Sequence, residues 1–144
     1  MRVLACMLAS VLLGLTTAPR AAAGGDLALA VIVHPSRAAP LTPEALKRIY
    51  LKRQRFWGDG HAIVAINQEV ATPAREALTR LVFGDEAARL AAYWNEQYFH
   101  GVLPPIILGS EEAVVRYVAS RPDAIGYVDV RHVDASVATA LLLR

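Results

Sequence analysis

The chain has 144 residues, 55% of them hydrophobic and 19% charged, which suits one domain with a real core and is too short for two. Its 15 Lys and Arg stand against 13 Asp and Glu, so it lacks the basic footprint that binding to a phosphate backbone requires, and nucleic acid is not an expected partner. The single cysteine, Cys6, excludes an intrachain disulfide framework and a cysteine-built metal site.

Residues 1–23 are predicted to be a Sec-type signal peptide. Met1-Arg2 gives a positive start, 3–15 is an apolar run, and Ala21-Ala22-Ala23 precedes Gly24-Gly25 as a small-residue cleavage pattern. A transmembrane anchor is the alternative reading, although the run falls short of the ~20 residues needed to span a bilayer. Removal of the leader takes Arg2 and Arg20 with it and leaves 13 cations against 13 acids, a formally neutral mature chain. Cys6 leaves too, and it lies too near the start for a lipid-attachment cysteine. The mature chain, 24–144, is expected to be one exported domain with no stable membrane insertion.

Residues 27–34 (LALAVIVH) read as a strand buried on both faces, stopped by Pro35-Ser36. Thr42-Pro43-Glu44 is a helix start, and Leu46, Ile49 and Tyr50 give that helix one core face. Lys47, Arg48, Lys52, Arg53 and Arg55 cluster at its end, ahead of Phe56-Trp57. The cluster is either a patch for an anionic partner with aromatic platforms or a dipole-complementing helix end with both aromatics in the core; the second reading is favoured. Gly58-Asp59-Gly60 is a turn, and 62–66 (AIVAI) is a short buried strand.

That strand runs through a polar corner to Thr72-Pro73, a cap followed by proline at the first helical position. Such a corner is either an ordinary packing joint or an anion site made of outward N–H groups and a helix dipole. The helix carries Leu78, Leu81 and Val82 and is expected to end at Phe83-Gly84, with Asp85 capping the next one. Leu90, Trp94 and Tyr98 then recur at four-residue spacing, a stripe that suits a ligand box or, as is commoner, a core face. Leu103-Pro104-Pro105 is a crossing loop. Ser110 with Glu111 and Glu112 opens a helix with Val114, Tyr117 and Val118 inward. Residues 124–128 (AIGYV) return as a strand whose glycine allows close approach, and 136–143 is a strand or a helix, with a lean to strand. This order predicts one α/β layer fold with a mostly parallel sheet.

Several of these pieces, in this order, resemble one lobe of the type 2 periplasmic binding proteins, specifically the phosphate-binding proteins of ABC importers. They are the T-x-E-x-L-x-x-I-Y-L pattern at 42–51, the W-x-D-G turn at 57–60, the strand–corner–helix at 62–80, and Gly109-Ser110 leading to Pro122-Asp123-Ala124-Ile125-Gly126-Tyr127-Val128. The last matches the family's P-G-A-I-G-Y-V except for Asp123. The resemblance covers nearly all of 24–144 and implies a single-lobe periplasmic-binding-protein-like domain, its mostly parallel (mixed) sheet flanked by helices, at a periplasmic or secreted address.

It also implies a ligand, a small anion such as phosphate. The family's R-S-D-G-S-G-T corner falls on 67–73, where Asn67 replaces the arginine, Glu69 keeps a carboxylate in the acid's place, Thr72 restores a hydroxyl and Pro73 deletes a backbone donor. Arg75 stands one turn on as a substitute cation. Asn67, Glu69, Thr72 and Arg75 are therefore the expected contacts, with Ser36 after the first strand as a neighbour. The chain has residues for one lobe only, so an importer, a sensor, a second lobe on another polypeptide or a homodimer is the expected company. The alternative is an interaction or adaptor protein that kept the lobe and lost its ligand. Enzymatic function, a cofactor and a metal are not expected: His34, His61, His100 and His132 lack metal-binding spacing, and no nucleophile elbow or phosphate-cradling loop is present.

Overall fold

The structure, a computed structural model, describes residues 27–144. The leader expected over 1–23 lies outside the described residues. Five strands form one open sheet in the order β3-β2-β4-β1-β5. They are β1 (Leu29–Val33), β2 (Val64–Gln68), β3 (Ile106–Leu108), β4 (Ala124–Asp129) and β5 (Ala138–Leu143). Strand β2 runs parallel to β3 and β4, while β1 is antiparallel to β4 (Val31 opposite Tyr127) and to β5. The sheet is thus mixed, and the central placement of β1 supplies both antiparallel pairings.

Four α-helices flank it: α1 (Pro43–Tyr50), α2 (Pro73–Leu78), α3 (Leu90–Phe99) and α4 (Glu111–Ser120). The two-residue period of the strands divides the core. Leu29, Val31, Val33, Ala65, Ile125 and Tyr127 face α1 and α2, whereas Ala30, Ile32, Ile66, Ala124 and Val128 face Val114, Val115 and Val118 of α4. Strands covered on both sides must be apolar throughout, which is why 27–34 and 124–128 carry no alternation. The caps predicted at Thr72 and Ser110 are formed: Thr72 Oγ1 accepts from the Arg75 N–H and Ser110 Oγ from the Ala113 N–H, whereas Asp85 caps no helix, because it falls inside the 3-10 turn that leads to α3.

The structure corrects four further local expectations. Strand β2 extends two residues past Ile66, which makes Asn67 and Gln68 buried strand residues. No strand is expected from the sequence between the crossing loop at 103–105 and Ser110, yet β3 forms there; at the sheet edge it is largely exposed, and its three residues are held by pairing to β2. The Leu90–Trp94–Tyr98 stripe is not core, for no residue of α3 is buried and Tyr98 is 66% exposed. A π turn (Thr79–Phe83) and a 3-10 turn (Gly84–Arg89) precede α3, whose Tyr93 packs on the core with its hydroxyl donating to the Leu51 carbonyl, while Trp94 is half-buried and Tyr98 exposed. Phe56 is exposed, although Trp57 packs on the core as expected. In the basic cluster Lys47 pairs with Glu86 and Arg53 stacks over Tyr93, local uses that fit the favoured reading.

A latch closes the end of the sheet where β2 and β4 begin. The Arg37 guanidinium donates to the Pro122 carbonyl (2.6 Å), Asp59 (2.8 Å) and Asp123 (2.6 Å), and lies over the Trp57 ring. The Asp59 carboxyl is held below its ordinary range by the His61 backbone N–H and then by Arg37. A depressed carboxyl stabilises the fold fully above its unfolded value, near 3.8, and loses that contribution as pH falls through the folded value. Arg37→Gln is expected to lower the unfolding free energy at pH 7 modestly, the exposure of Asp59 limiting the loss. In urea titrations the gap to wild type should narrow between pH 5 and pH 2 (roughly the range over which such carboxylates protonate); a constant gap would count against the ion pairs.

Candidate anion site at the carboxyl ends of the parallel strands

Strands β2, β3 and β4 end together at Gln68, Leu108 and Asp129, and from β2 and β3 the chain turns into α2 and α4. Ligands of open α/β sheets bind at this edge. The β4 side of it is acidic: the Glu111 carboxylate accepts the Asp129 N–H (2.5 Å), Asp129 pairs with Arg131, and Glu111 and Glu112 fill the first turn of α4. There the cation, Arg131, is taken up by Asp129, whereas on the β2 side Arg75 Nη1 has no partner among the described residues, and there an anion is better placed.

Asn67 is 6% exposed. Its Oδ1 accepts from the Tyr127 hydroxyl (2.5 Å) and from the Gln68 N–H (3.0 Å). A backbone N–H can only donate, so this contact fixes which end of the amide is oxygen and leaves Nδ2 a donor; Nδ2 makes no hydrogen bond among the described residues. Gln68 Nε2 donates to the Tyr127 carbonyl (2.9 Å), tying β2 to β4 beneath the site. Tyr50 donates to the Ile66 carbonyl and meets Tyr127 edge-on, ring centres 5.8 Å apart. Burial pushes Tyr127 up to about 12, and Tyr50 well above its ordinary value; the Arg75 guanidinium pulls both back in part. Both phenols are therefore neutral donors at physiological pH.

Arg75 lies on α2 above these phenols. Its Nη1 is shut off from solvent and has no hydrogen-bond partner among the described residues. A guanidinium nitrogen in that state is costly unless an acceptor reaches it. The same residue borders a groove of about 830 Å³ between α2 and α3, walled by Val70, Glu76, Thr79, Arg80, Leu90 and Trp94 among others.

The predicted contacts are partly brought together. Asn67 and Arg75 face the same buried phenol, Tyr127. Glu69 is exposed at the corner, its Oε1 3.6 Å from where a Cβ on Gly109 would stand, over the turn into α4. Thr72 is occupied otherwise: its hydroxyl donates to the Glu69 carbonyl (2.9 Å) and caps α2, so it shapes the turn. Since α2 has six residues and starts with proline, its backbone end offers little to an anion and the side-chain cation matters more. The expectation for Ser36 is corrected. It follows β1, whose antiparallel course puts Val33 opposite Ile125 at the start of β4, so Ser36 sits at the other end of the sheet, bonded to His34. Sequence reasoning missed Tyr50, Gln68 and Tyr127, although Tyr127 stood in the motif that carried the resemblance. Among the described residues no His/Cys/Asp/Glu group is arranged to hold a metal, and no helix is long and apolar enough to cross a membrane.

No family model matches the sequence, and no curated protein matches it. Solved structures match it in fold. An ABC-type phosphate transport receptor from Vibrio cholerae aligns with TM-score 0.61 and 18% identity over 77% of this chain and 44% of its own. A structure described as a phosphate ABC transporter substrate-binding protein with bound phosphate, from Clostridium perfringens, gives 0.64 and 21% over 79% and 45%. PstS from Borrelia burgdorferi gives 0.60 and 18% over 78% and 46%. The chain thus spans less than half the length of each of these receptors, and its open mixed sheet with flanking helices has the fold of a single periplasmic-binding-protein lobe.

Proposed function

We propose that residues 24–144 are an exported, single-lobe solute-binding module that takes a small oxyanion, with phosphate the first to test. One observation carries this reading: the enclosed, unpartnered Nη1 of Arg75, on the helix that follows the strand bearing Asn67 and its free amide donor, at the edge of the sheet where α/β folds bind ligands. In this arrangement Arg75 supplies the charge, Asn67 Nδ2 a neutral donor, and Glu69 an acceptor for the proton of a monohydrogen anion, while Thr72 holds the corner. The bound phosphate named for the Clostridium structure supports the choice of ligand. The leader at 1–23 would be removed on export to a periplasmic setting, where an importer, a sensor or a second lobe completes the module. We do not propose catalysis. The adaptor reading is favoured by the apolar side chains left uncovered at Tyr98, Phe99, Leu103 and Ile107.

The test is calorimetric titration of the purified protein with inorganic phosphate in a phosphate-free buffer, repeated on Arg75→Gln. The expected result is saturable binding that weakens at least ~tenfold in the variant, the loss of one charge-assisted bond. No heat up to millimolar phosphate would remove this reading and leave the adaptor one.

A further inference from the structure

The groove that Arg75 borders is the wrong kind of surface for a bare inorganic anion. Its walls include Val70, which is 75% exposed, and Leu90, Ala91 and Trp94, none of them buried by the fold. A tetrahedral oxyanion has no apolar surface to set against them, and its size uses little of a groove of about 830 Å³, a volume within the range of roughly 300–1,000 Å³ common to sites for larger organic ligands. The charges are also informative. Arg75 and Arg80 share the walls with Glu76 and Asp85, which favours one acidic head at Arg75 and disfavours a second anionic group further along.

We infer that the solute is an organic anion with one acidic head, held at Arg75, and a flat apolar body lying along Val70, Ala91 and Trp94. This rests on the oxyanion-site reading above and names the class of solute that reading leaves open. Trp94, half-buried on the groove wall and braced edge-on against Tyr93, supplies the aromatic surface for the body.

Phenyl phosphate and inorganic phosphate are the probes, titrated in parallel by calorimetry into the purified protein, Trp94→Ala and Ala91→Gln. Ala91 is an exposed helix position, so its bulkier replacement narrows the groove without threatening the fold even where Trp94→Ala does. Phenyl phosphate is expected to bind at least ~tenfold more tightly than inorganic phosphate, and either variant should erase that advantage while leaving inorganic phosphate unchanged. Equal affinity for the two probes, or an advantage that survives both variants, would overturn the inference and leave the oxyanion reading standing. Failure of both probes to bind would overturn the two together. Sedimentation showing a dimer that Ala91→Gln dissociates would overturn the inference alone, because a second copy would then fill the groove.

Discussion

Gly126→Ala is expected to destabilise the domain by about 2 kcal/mol, a large loss for the addition of one methyl group. A Cβ at this position would stand 2.6 Å from Val114 Cγ1 and 3.3 Å from Val118 Cγ2, with Ile66 Cβ at 3.7 Å. Both valines are fully buried on α4, and a β-branched side chain in a helix has essentially one rotamer, so neither can swing away. The helix must therefore lift off the sheet. Val114→Ala alone removes buried methyls and should cost about 2 kcal/mol as a cavity. Together the two changes trade places, since the new methyl occupies the space Val114 gives up. The double variant should be at least ~1 kcal/mol more stable than the sum of the single effects predicts. Urea unfolding of the four proteins tests this, and strict additivity would show that α4 adjusts by another route. The contact also bears on the site, because α4 seated on β4 carries the turn at Gly109 and Ser110 alongside Glu69.

The parts of the fold that could be read from sequence are those where a local signal and the tertiary demand coincide. Strands β1 and β4 are covered on both faces, so their burial is written as unbroken apolar runs; Thr42-Pro43, Thr72-Pro73 and Ser110 start helices by chemistry internal to the first turn. The elements that were misread depend on distant partners. Strand β3 exists because β2 offers it a free edge, and its exposed isoleucines gave no alternation to find. In α3 an aromatic stripe at four-residue spacing pointed to a core face, yet Tyr93, off that stripe, packs on the core and reaches the Leu51 carbonyl. Ser36 was misplaced for a related reason: an antiparallel β1 in the middle of the sheet sends the end of that strand away from the ends of β2 and β4.

At the candidate site, Glu69 and Arg75 stand out in the sequence because they flank a recognisable corner, while the side chains packed around Asn67 do not. Tyr50, Gln68 and Tyr127 sit on three separate elements: the register of β2 against β4 brings Tyr127 to Asn67, and the packing of α1 on the sheet brings Tyr50 to Ile66 and Tyr127. Extension of β2 by two residues changes what Asn67 is: a buried strand residue whose oxygen is fixed by two donors and whose nitrogen alone is available.

That division of the amide makes Asn67 the position where stability and binding can be separated. Asn67→Leu keeps the volume and removes both functions. The Tyr127 hydroxyl, fully buried and neutral because its pKa lies at about 12, is left with no acceptor for its proton, and the Gln68 N–H keeps only the longer contact to Tyr127 at 3.2 Å. A stranded buried donor costs about 1–3 kcal/mol, so a loss near 2 is expected. Asn67→Asp restores the acceptor for both donors beneath the nearby Arg75 and should recover at least half of that stability. It also replaces the outward donor with negative charge, so inorganic phosphate should bind at least ~tenfold more weakly than to wild type, as like charges at a closed contact demand. Urea unfolding and phosphate titration on the same three proteins give both readouts. If Asn67→Asp is as stable as expected and still binds phosphate like wild type, Asn67 only braces Tyr127, and the anion is held by Arg75 without it.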